Sequence, residues 1–141
     1  MTAKEYLSRI RRQNFILKQT EHELTEIRSD ILTIRASSLA EHVSGSKNSD
    51  VADKYIRLEQ YMDKVNHEWG ILINMRMEAK AMIKALPDPQ QQAVLYARYI
   101  NCKRWEDIAS DMGYSWQGVF KLHGRALQSF EHMNKMLLCK E

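Results

Sequence analysis

The sequence predicts an all-α protein, in which a long antiparallel helical hairpin similar to a coiled coil is followed by a C-terminal helix-turn-helix bundle. Apolar residues recur at helical spacing throughout residues 1–86, and no segment has the alternating polarity of a strand. A segment rich in Ser, Gly and Asn interrupts this pattern at 41–50, and the two prolines of the chain follow directly after residue 86. We therefore expect two domains: an oligomerising hairpin, 1–86, and a helix-turn-helix domain, 87–141.

The first helix is expected to begin at a capping box. Thr2 can accept a hydrogen bond from the amide of Glu5, and the Glu5 side chain can reach back to the amide of Thr2. An apolar heptad follows and fades near Leu39, so this helix would be about 55 Å long at ~1.5 Å per residue. The members of the heptad are Ala3, Ile10, Leu17, Leu24 and Ile31.

The second helix carries a stronger heptad row, and Ser49 or Asp50 is expected to cap it after a turn at 41–50. Only Arg76 interrupts the row, whose apolar members are Val51, Tyr55, Leu58, Met62, Val65, Trp69, Leu72, Ala79, Ile83 and Leu86. Two such helices joined by a short loop fold back as an antiparallel pair. Each covers only one stripe of the other, so we expect further burial in a homodimer or against the C-terminal part. The alternative is a hairpin that acts only as a spacer.

The C-terminal part is expected to begin with a short amphipathic helix. Asp88 is a good N-cap, and Pro89 suits the first helical position. Residues 101–104 then connect this helix to the next. The candidates for burial on the short helix are Ala93, Val94, Tyr96, Ala97 and Ile100.

Residues 105–124 match the steric pattern of a helix-turn-helix. Gly113 lies at the turn, where a positive φ is required, and Ser115 can cap the second helix. Ala109 lies where the two helices would cross closely. The residues expected to face the interior are Ile108, Met112, Val119, Leu122 and Ala126.

The outward face of helix 115–131 is the predicted DNA-binding surface, since a recognition helix presents these positions to a major groove. Gln117 can pair with adenine, and Lys121 with guanine or a phosphate, although both are also common solvated residues. Two glycines in this helix, Gly118 and Gly124, suggest that something approaches closely there. Phosphate contacts are expected from a basic set beside the helix, and the candidate DNA-binding residues are Ser115, Trp116, Gln117, Phe120, Lys121, Arg125, Lys103 and Arg104.

Trp116 and Phe120, four residues apart, form one apolar patch on this face. Three alternatives remain for the patch: contact with thymine methyl groups and sugars, contact with another protein, or cover by the hairpin.

Composition argues against several other functions. The net charge is only +3, and residues 90–141 hold seven bases and five acids, which is compatible with phosphate contacts without demanding them. No apolar run is long enough for a membrane span and the start lacks an apolar leader, so we expect a cytoplasmic protein with no membrane partner. The histidines are scattered, the two cysteines lie far apart, and no glycine-rich phosphate loop occurs. We therefore expect no enzyme, cofactor or metal site, and we place His123 at the surface or on a phosphate.

The stretch "RWEDIASDMGYSWQGVFKLHGRAL" resembles the C-terminal region 4 of bacterial sigma factors, where a similar frame reads promoter DNA. The whole chain looks like a family of phage and prophage proteins from Gram-positive bacteria, related to ArpU-like late transcription regulators. The segments that carry this likeness are "MTAKEYLSRIRR", "VSGS", "LPDP", "ARYINCKRWEDIA" and "MGYSWQGVFKLHGRAL".

The resemblance implies a phage-type transcriptional regulator that binds duplex DNA and contacts RNA polymerase. Carried over by position, the DNA-reading residues would be Ser115, Trp116, Gln117, Phe120 and Lys121. Sigma-type recognition helices usually carry more Arg and Glu here, and the hairpin replaces the other sigma regions, so promoter melting is not implied. Two alternatives to a dimeric regulator remain: a protein-interaction module that binds polymerase or a phage protein through Trp116 and Phe120, and a DNA-packaging protein similar to a small terminase subunit.

Overall fold

The computed structural model describes the backbone of residues 1–40 and 46–140, and the side chains of 1–37 and 51–140. All regular structure in these ranges is helical, so the predicted all-α fold is confirmed. A π-helical turn, Tyr96–Ile100, continues the third helix. The helices are α1 (Ala3–Ala40), α2 (Ser46–Lys84), α3 (Pro89–Leu95), α4 (Trp105–Met112), α5 (Trp116–Met133) and α6 (Lys135–Leu138).

The chain forms two compact units, and α1 and α2 contribute one end to each. The first unit contains Met1–Gln13 and Leu72–Glu141, and the second contains Asn14–Ile71. The two long helices pack antiparallel, as predicted for the hairpin. In the first unit the Tyr6 hydroxyl donates to Glu78 Oε1 (2.5 Å), and in the second the Trp69 indole donates to Glu21 Oε1 (3.0 Å). That 1–86 and 87–141 act as separate domains stays a prediction.

The predicted capping box begins α1. The Glu5 amide donates to Thr2 Oγ1 (3.2 Å), and the Thr2 amide donates to Glu5 Oε2 (2.7 Å). The hydrogen bond from the Thr2 amide, followed by an interaction with the Thr2 side chain, lowers the pKa of the Glu5 carboxyl, because both favour its charged form. The whole apolar heptad of α1 is buried, with at most 7% of any member exposed.

The prediction for residues 41–50 is wrong in its second half, because α2 already begins at Ser46. Residues 46–50 contain neither Gly nor Pro, the two strongest helix breakers, so a helix can extend through them. Ser49 and Asp50 therefore lie inside α2 and do not cap it. The first half of the predicted turn, 41–45, lies outside the described residues.

The heptad row of α2 is only partly covered. Its members are buried from Leu72 onward, except Arg76, whereas three earlier ones, Tyr55, Met62 and Trp69, each keep 40% exposure. Packing against α1 alone leaves part of this row exposed, as expected where each helix covers a single stripe of its partner.

The burial pattern around α3 differs from the prediction because of the π turn. Asp88 caps α3 by accepting from the Gln90 amide (2.9 Å), as predicted. The Asn101 amide then donates to the Tyr96 carbonyl, a bond across five residues (3.0 Å). The buried residues accordingly occur in pairs five apart, and Ala93 is exposed instead of buried. These buried residues are Val94, Leu95, Tyr99 and Ile100.

Candidate nucleic-acid interface

The turn between α4 and α5 has the geometry that the glycine at its centre predicts. Gly113 has φ 68° and ψ 28°, a left-handed conformation that residues with a Cβ rarely adopt. The Tyr114 amide donates to the Ala109 carbonyl (3.0 Å), which closes α4 with a bond typical of a left-handed C-cap. The Tyr114 hydroxyl donates to Gln90 Oε1 (2.7 Å) and thereby ties the turn to α3.

Ser115 caps α5, as predicted. Its Oγ accepts from the Gly118 amide at 3.1 Å. A Cβ on Gly118 would lie 3.1 Å from Ser115 Oγ and 3.2 Å from Tyr114 Cδ1, so this cap itself accounts for the glycine. The same Cβ on Gly124 would meet nothing within 4 Å. The crowding at Gly118 is therefore local, and the approach of a ligand to either glycine stays a prediction.

The inner face of α5 packs on α3 and α4, and its Val119, Leu122, Ala126 and Phe130 are buried. Ile108 and Ala109 of α4 are buried as well. Met112, also predicted to face the interior, is only partly buried. This packing fixes which side of α5 is left uncovered.

All the predicted DNA-binding residues are exposed. We use the term recognition face for the exposed side of α5 formed by Trp116, Gln117, Phe120 and Lys121. Trp116 is 50% exposed and Phe120 44% exposed. Lys121 and the nearby Arg125 form no ion pair with any described residue, so their charges are uncompensated.

The two other predicted phosphate contacts are already engaged. Lys103 Nζ lies 2.9 Å from Asp111 Oδ2. Arg104 Nε lies 3.2 Å from Asp107 Oδ2, and its Nη1 lies 3.6 Å from Glu106 Oε2. The hydrogen bond to Asp107 raises the pKa of Arg104, because it favours the charged guanidinium. A phosphate at either residue has to compete with a carboxylate.

The two aromatic residues of the recognition face belong to a row of contacting rings that extends into the interior. The Trp116 and Phe120 ring centroids lie 5.8 Å apart, which confirms the predicted patch. Phe120 lies 5.1 Å from Trp105, and Trp105 lies 4.6 Å from His123 in an edge-on arrangement. The Arg98 guanidinium covers Trp105 at 4.5 Å. Trp105 escaped the sequence analysis because it lies on another helix, with no periodic relation to Phe120.

The prediction for His123 is wrong. Its ring is buried, and its Nε2 lies 2.8 Å from the Tyr99 hydroxyl. Burial first, and then the charges of Lys4 and Arg98, lower the pKa of His123 to about 4. Burial also raises the pKa of Tyr99. Both groups are therefore neutral at pH 7, and His123 does not face a phosphate. The π turn brings Tyr99 inward and so creates the buried pair.

A second basic group lies beside α4 and was not predicted. Arg11 Nη1 donates to the carbonyl oxygens of Arg98 (3.1 Å) and Lys103 (3.4 Å). Arg98 Nη1 donates to the same Lys103 oxygen at 3.0 Å. We call Arg11 and Arg98 the arginine pair. Sequence reasoning missed it because 87 residues separate its two members.

No three His, Cys, Asp or Glu side chains of the described residues come together as a metal site would require. None of the helices in these ranges is both long and apolar enough to cross a membrane.

Comparison with known proteins gives one match. A family model described as "Protein of unknown function (DUF1492)" matches residues 33–131, a segment that includes α3, the π turn, α4 and most of α5. No curated protein and no solved structure matches the chain. Because the matched segment covers well over half of the 141 residues and includes the whole recognition face, the chain belongs to the DUF1492 family.

Proposed function

We propose that this protein is a DNA-binding transcriptional regulator that inserts α5 into the major groove of duplex DNA. One observation carries the proposal: a capped helix that follows a left-handed turn leaves Gln117 and Lys121 exposed on its outer side. In helix-turn-helix proteins, the second helix contacts base edges with the residues of its first turns.

The side chains on the recognition face match the chemistry of base edges. A glutamine amide can donate to and accept from adenine at once, and a lysine ammonium can donate to guanine or to a phosphate. The rings of Trp116 and Phe120 suit the methyl group of thymine. Lys121 and Arg125 should supply most of the phosphate attraction, because no carboxylate of the described chain neutralises them.

Lys103 and Arg104 are proposed as weaker phosphate contacts. Their ion pairs with Asp111, Asp107 and Glu106 are exposed to water, where such pairs contribute about 0–1 kcal/mol. A DNA phosphate can replace such a carboxylate at small cost. The displaced carboxylates stay near the phosphate and repel it, so the net gain in affinity should be smaller than at Lys121 and Arg125.

A homodimer fits this function better than a monomer. Neutralised phosphates supply most of the affinity for DNA, and two subunits double the number of basic side chains. Two recognition helices about 34 Å apart would read half-sites one turn apart. The partly exposed row of Tyr55, Met62 and Trp69 on α2 is available for contact with a second copy. A dimer mass in light scattering supports this assembly, whereas a ring-sized mass favours a packaging protein.

The finer identity comes from the sequence resemblance. The likeness of the helix-turn-helix stretch to sigma-factor region 4 supports transcription as the process. The likeness of the whole chain to phage and prophage proteins related to ArpU-like late regulators supports a phage-type, cytoplasmic regulator, with RNA polymerase as a further partner. We propose no enzymatic activity, cofactor or metal.

The proposal is tested by selecting bound duplex fragments from phage and bacterial genomic DNA, and then measuring their affinity by fluorescence anisotropy over a range of salt concentrations. Affinity should fall steeply with salt, and Lys121→Glu combined with Arg125→Glu should abolish it. The matched control is Lys135→Glu with Lys140→Glu, which reverses two exposed charges beyond α5. DNA retention by the first double variant equal to that of the control rules out the recognition face.

The exposure of Trp116 and Phe120 also favours a second function, as a module that binds RNA polymerase or a phage protein. Exposed aromatic side chains often dominate protein interfaces. Under this hypothesis, Trp116→Ala loses purified polymerase in a pull-down while the wild-type protein binds no duplex. Polymerase retained by Trp116→Ala at wild-type level contradicts it.

A further inference from the structure

The arginine pair holds two positive charges against a single carbonyl oxygen. Arg11 on α1 and Arg98 in the π turn both donate to the oxygen of Lys103, at 3.4 Å and 3.0 Å. Neither guanidinium forms an ion pair with a carboxylate of the described residues. Both side chains are partly exposed, so a ligand from solvent can reach them.

The surroundings of Arg98 leave its positive charge only partly compensated. Burial, followed by the charge of Arg11, lowers the pKa of Arg98, which means that its surroundings disfavour the charged form. The acidic side chains nearby are already engaged, Asp111 with Lys103 and Asp107 with Arg104. An anion bound to both guanidinium groups would relieve their mutual repulsion.

We propose that Arg11 and Arg98 bind one phosphate of the DNA backbone, outside the recognition face. The inference rests on the proposed function, since it takes duplex DNA as the ligand. Each guanidinium carries five N–H donors, and the contacts to carbonyls use only Nη1 of each side chain. The remaining donors suit the oxygens of a phosphate, which arginine binds in bidentate fashion.

The position of the pair relative to α5 supports a backbone contact. Arg98 lies on the Trp105 ring, and Trp105 contacts Phe120 of the recognition face. One ring, that of Trp105, therefore lies between Arg98 and the nearest side chain of the recognition face. A phosphate held there sets the register of α5 on the duplex, and the contact is independent of sequence.

The test compares Arg11→Gln with Arg12→Gln, a neighbouring arginine that is exposed on the same helix. Both variants lose one charge, so a general electrostatic effect is the same in each. For Arg11→Gln, the slope of log affinity against log salt should fall by about 0.9, the value for one lost phosphate contact. Its affinity should fall about tenfold on every duplex, as for one charge-assisted hydrogen bond. Arg12→Gln should keep the wild-type slope.

A third variant, Arg11→Lys, keeps the result interpretable if Arg11→Gln unfolds. It retains the charge but loses the planar fork, so it should keep the slope and still bind more weakly than the wild type. Equal slopes for wild type, Arg11→Gln and Arg12→Gln, in folded proteins that bind duplex, overturn the arginine pair and leave the proposed function intact. An Arg11→Lys protein with wild-type affinity also overturns the pair as a bidentate site.

A measurement without DNA distinguishes failure of the arginine pair from failure of the proposed function. Inorganic phosphate should raise the Tm of the wild type and of Arg12→Gln by a few degrees more than chloride of equal ionic strength, and this excess should vanish in Arg11→Gln. Phosphate also stabilises folded proteins in general, but that effect is common to all three proteins. An equal excess in all three overturns the pair. A wild type that binds no duplex overturns the proposed function and, with it, DNA as the ligand of the pair.

Discussion

Protonation of His123 is expected to destabilise the helix-turn-helix at mildly acidic pH. The ring is buried beside Trp105, its Nε2 lies 2.8 Å from the Tyr99 hydroxyl, and Lys4 and Arg98 add positive charge. The folded protein therefore holds the neutral ring, whereas the unfolded chain takes up the proton near the ordinary pKa of 6.5. Because the pKa is lower in the folded state, stability is complete above pH 6.5 and is lost as the pH falls from 6.5 towards 4.

The magnitude follows from the difference between the two pKa values. The pKa falls from 6.5 to about 4, and one pKa unit corresponds to about 1.4 kcal/mol, so the limiting loss of unfolding free energy is about 3 kcal/mol. At pH 4.5 most of this loss has occurred, and local relaxation around the ring should reduce it to about 2 kcal/mol. For a chain of this length, that loss lowers Tm by roughly 6 °C.

The control is the double variant His123→Phe with Tyr99→Phe. It replaces a buried hydrogen-bonded pair by apolar rings of similar shape, which leaves no unsatisfied partner and removes the titration. Urea unfolding of both proteins at pH 7 and pH 4.5 gives the four free energies. The wild type should lose about 2 kcal/mol more than the variant between these two pH values, while other groups titrate alike in both. An equal loss in the two proteins refutes the assignment of acid sensitivity to His123.

Three further predictions concern the turn and α5, and thermal unfolding checks each of them. Gly124→Ala should raise stability by up to about 1 kcal/mol, because a methyl group there meets nothing within 4 Å and alanine favours the helix. Gly118→Ala should stabilise the protein less or destabilise it, since its Cβ would crowd Tyr114 and Ser115. Equal stabilisation at both positions contradicts this reasoning. Ser115→Ala should cost about 1 kcal/mol through loss of the cap on the Gly118 amide, and an unchanged Tm speaks against that cap. Gly113→Ala should cost about 1–2 kcal/mol because φ at this position is 68°, and a stabilised variant would contradict the left-handed turn.

The features that sequence reasoning predicted depend on contacts between residues close in the chain. The capping box at Thr2 and the cap at Ser115 each join residues three apart, and the left-handed turn at Gly113 requires only the residue itself. The buried heptad of α1 follows from the helical period alone. Such patterns are visible in a single sequence because the partners occur at fixed spacing.

The features that sequence reasoning missed depend on one local irregularity of the backbone and on contacts between residues far apart in the chain. The π turn at 96–100 adds a residue to one turn of helix and rotates Tyr99 inward, where it meets His123. No helical period predicts that extra residue, so the inward position of Tyr99 was not visible in the sequence. His123 itself lies at regular helical spacing from the buried Val119 and Ala126, so the period of α5 already indicated its burial. Arg11 and Arg98 meet only because α1 packs beside the π turn, and no spacing rule connects residues 87 apart.

The same π turn links the Tyr99–His123 pair and the arginine pair to the candidate function. It brings Tyr99 into the core beside His123, and it places the preceding residue, Arg98, over the ring of Trp105. Trp105 in turn contacts both His123 and Phe120. The π turn contains one residue more than a regular α-helical turn, and each residue of an α-helix rotates the chain by roughly 100°. A regular turn at 96–100 would therefore change the direction of both side chains by about that angle. The neutral buried pair and the partly exposed arginine pair are therefore both consequences of one backbone irregularity, and both contact Trp105, the ring that supports Phe120.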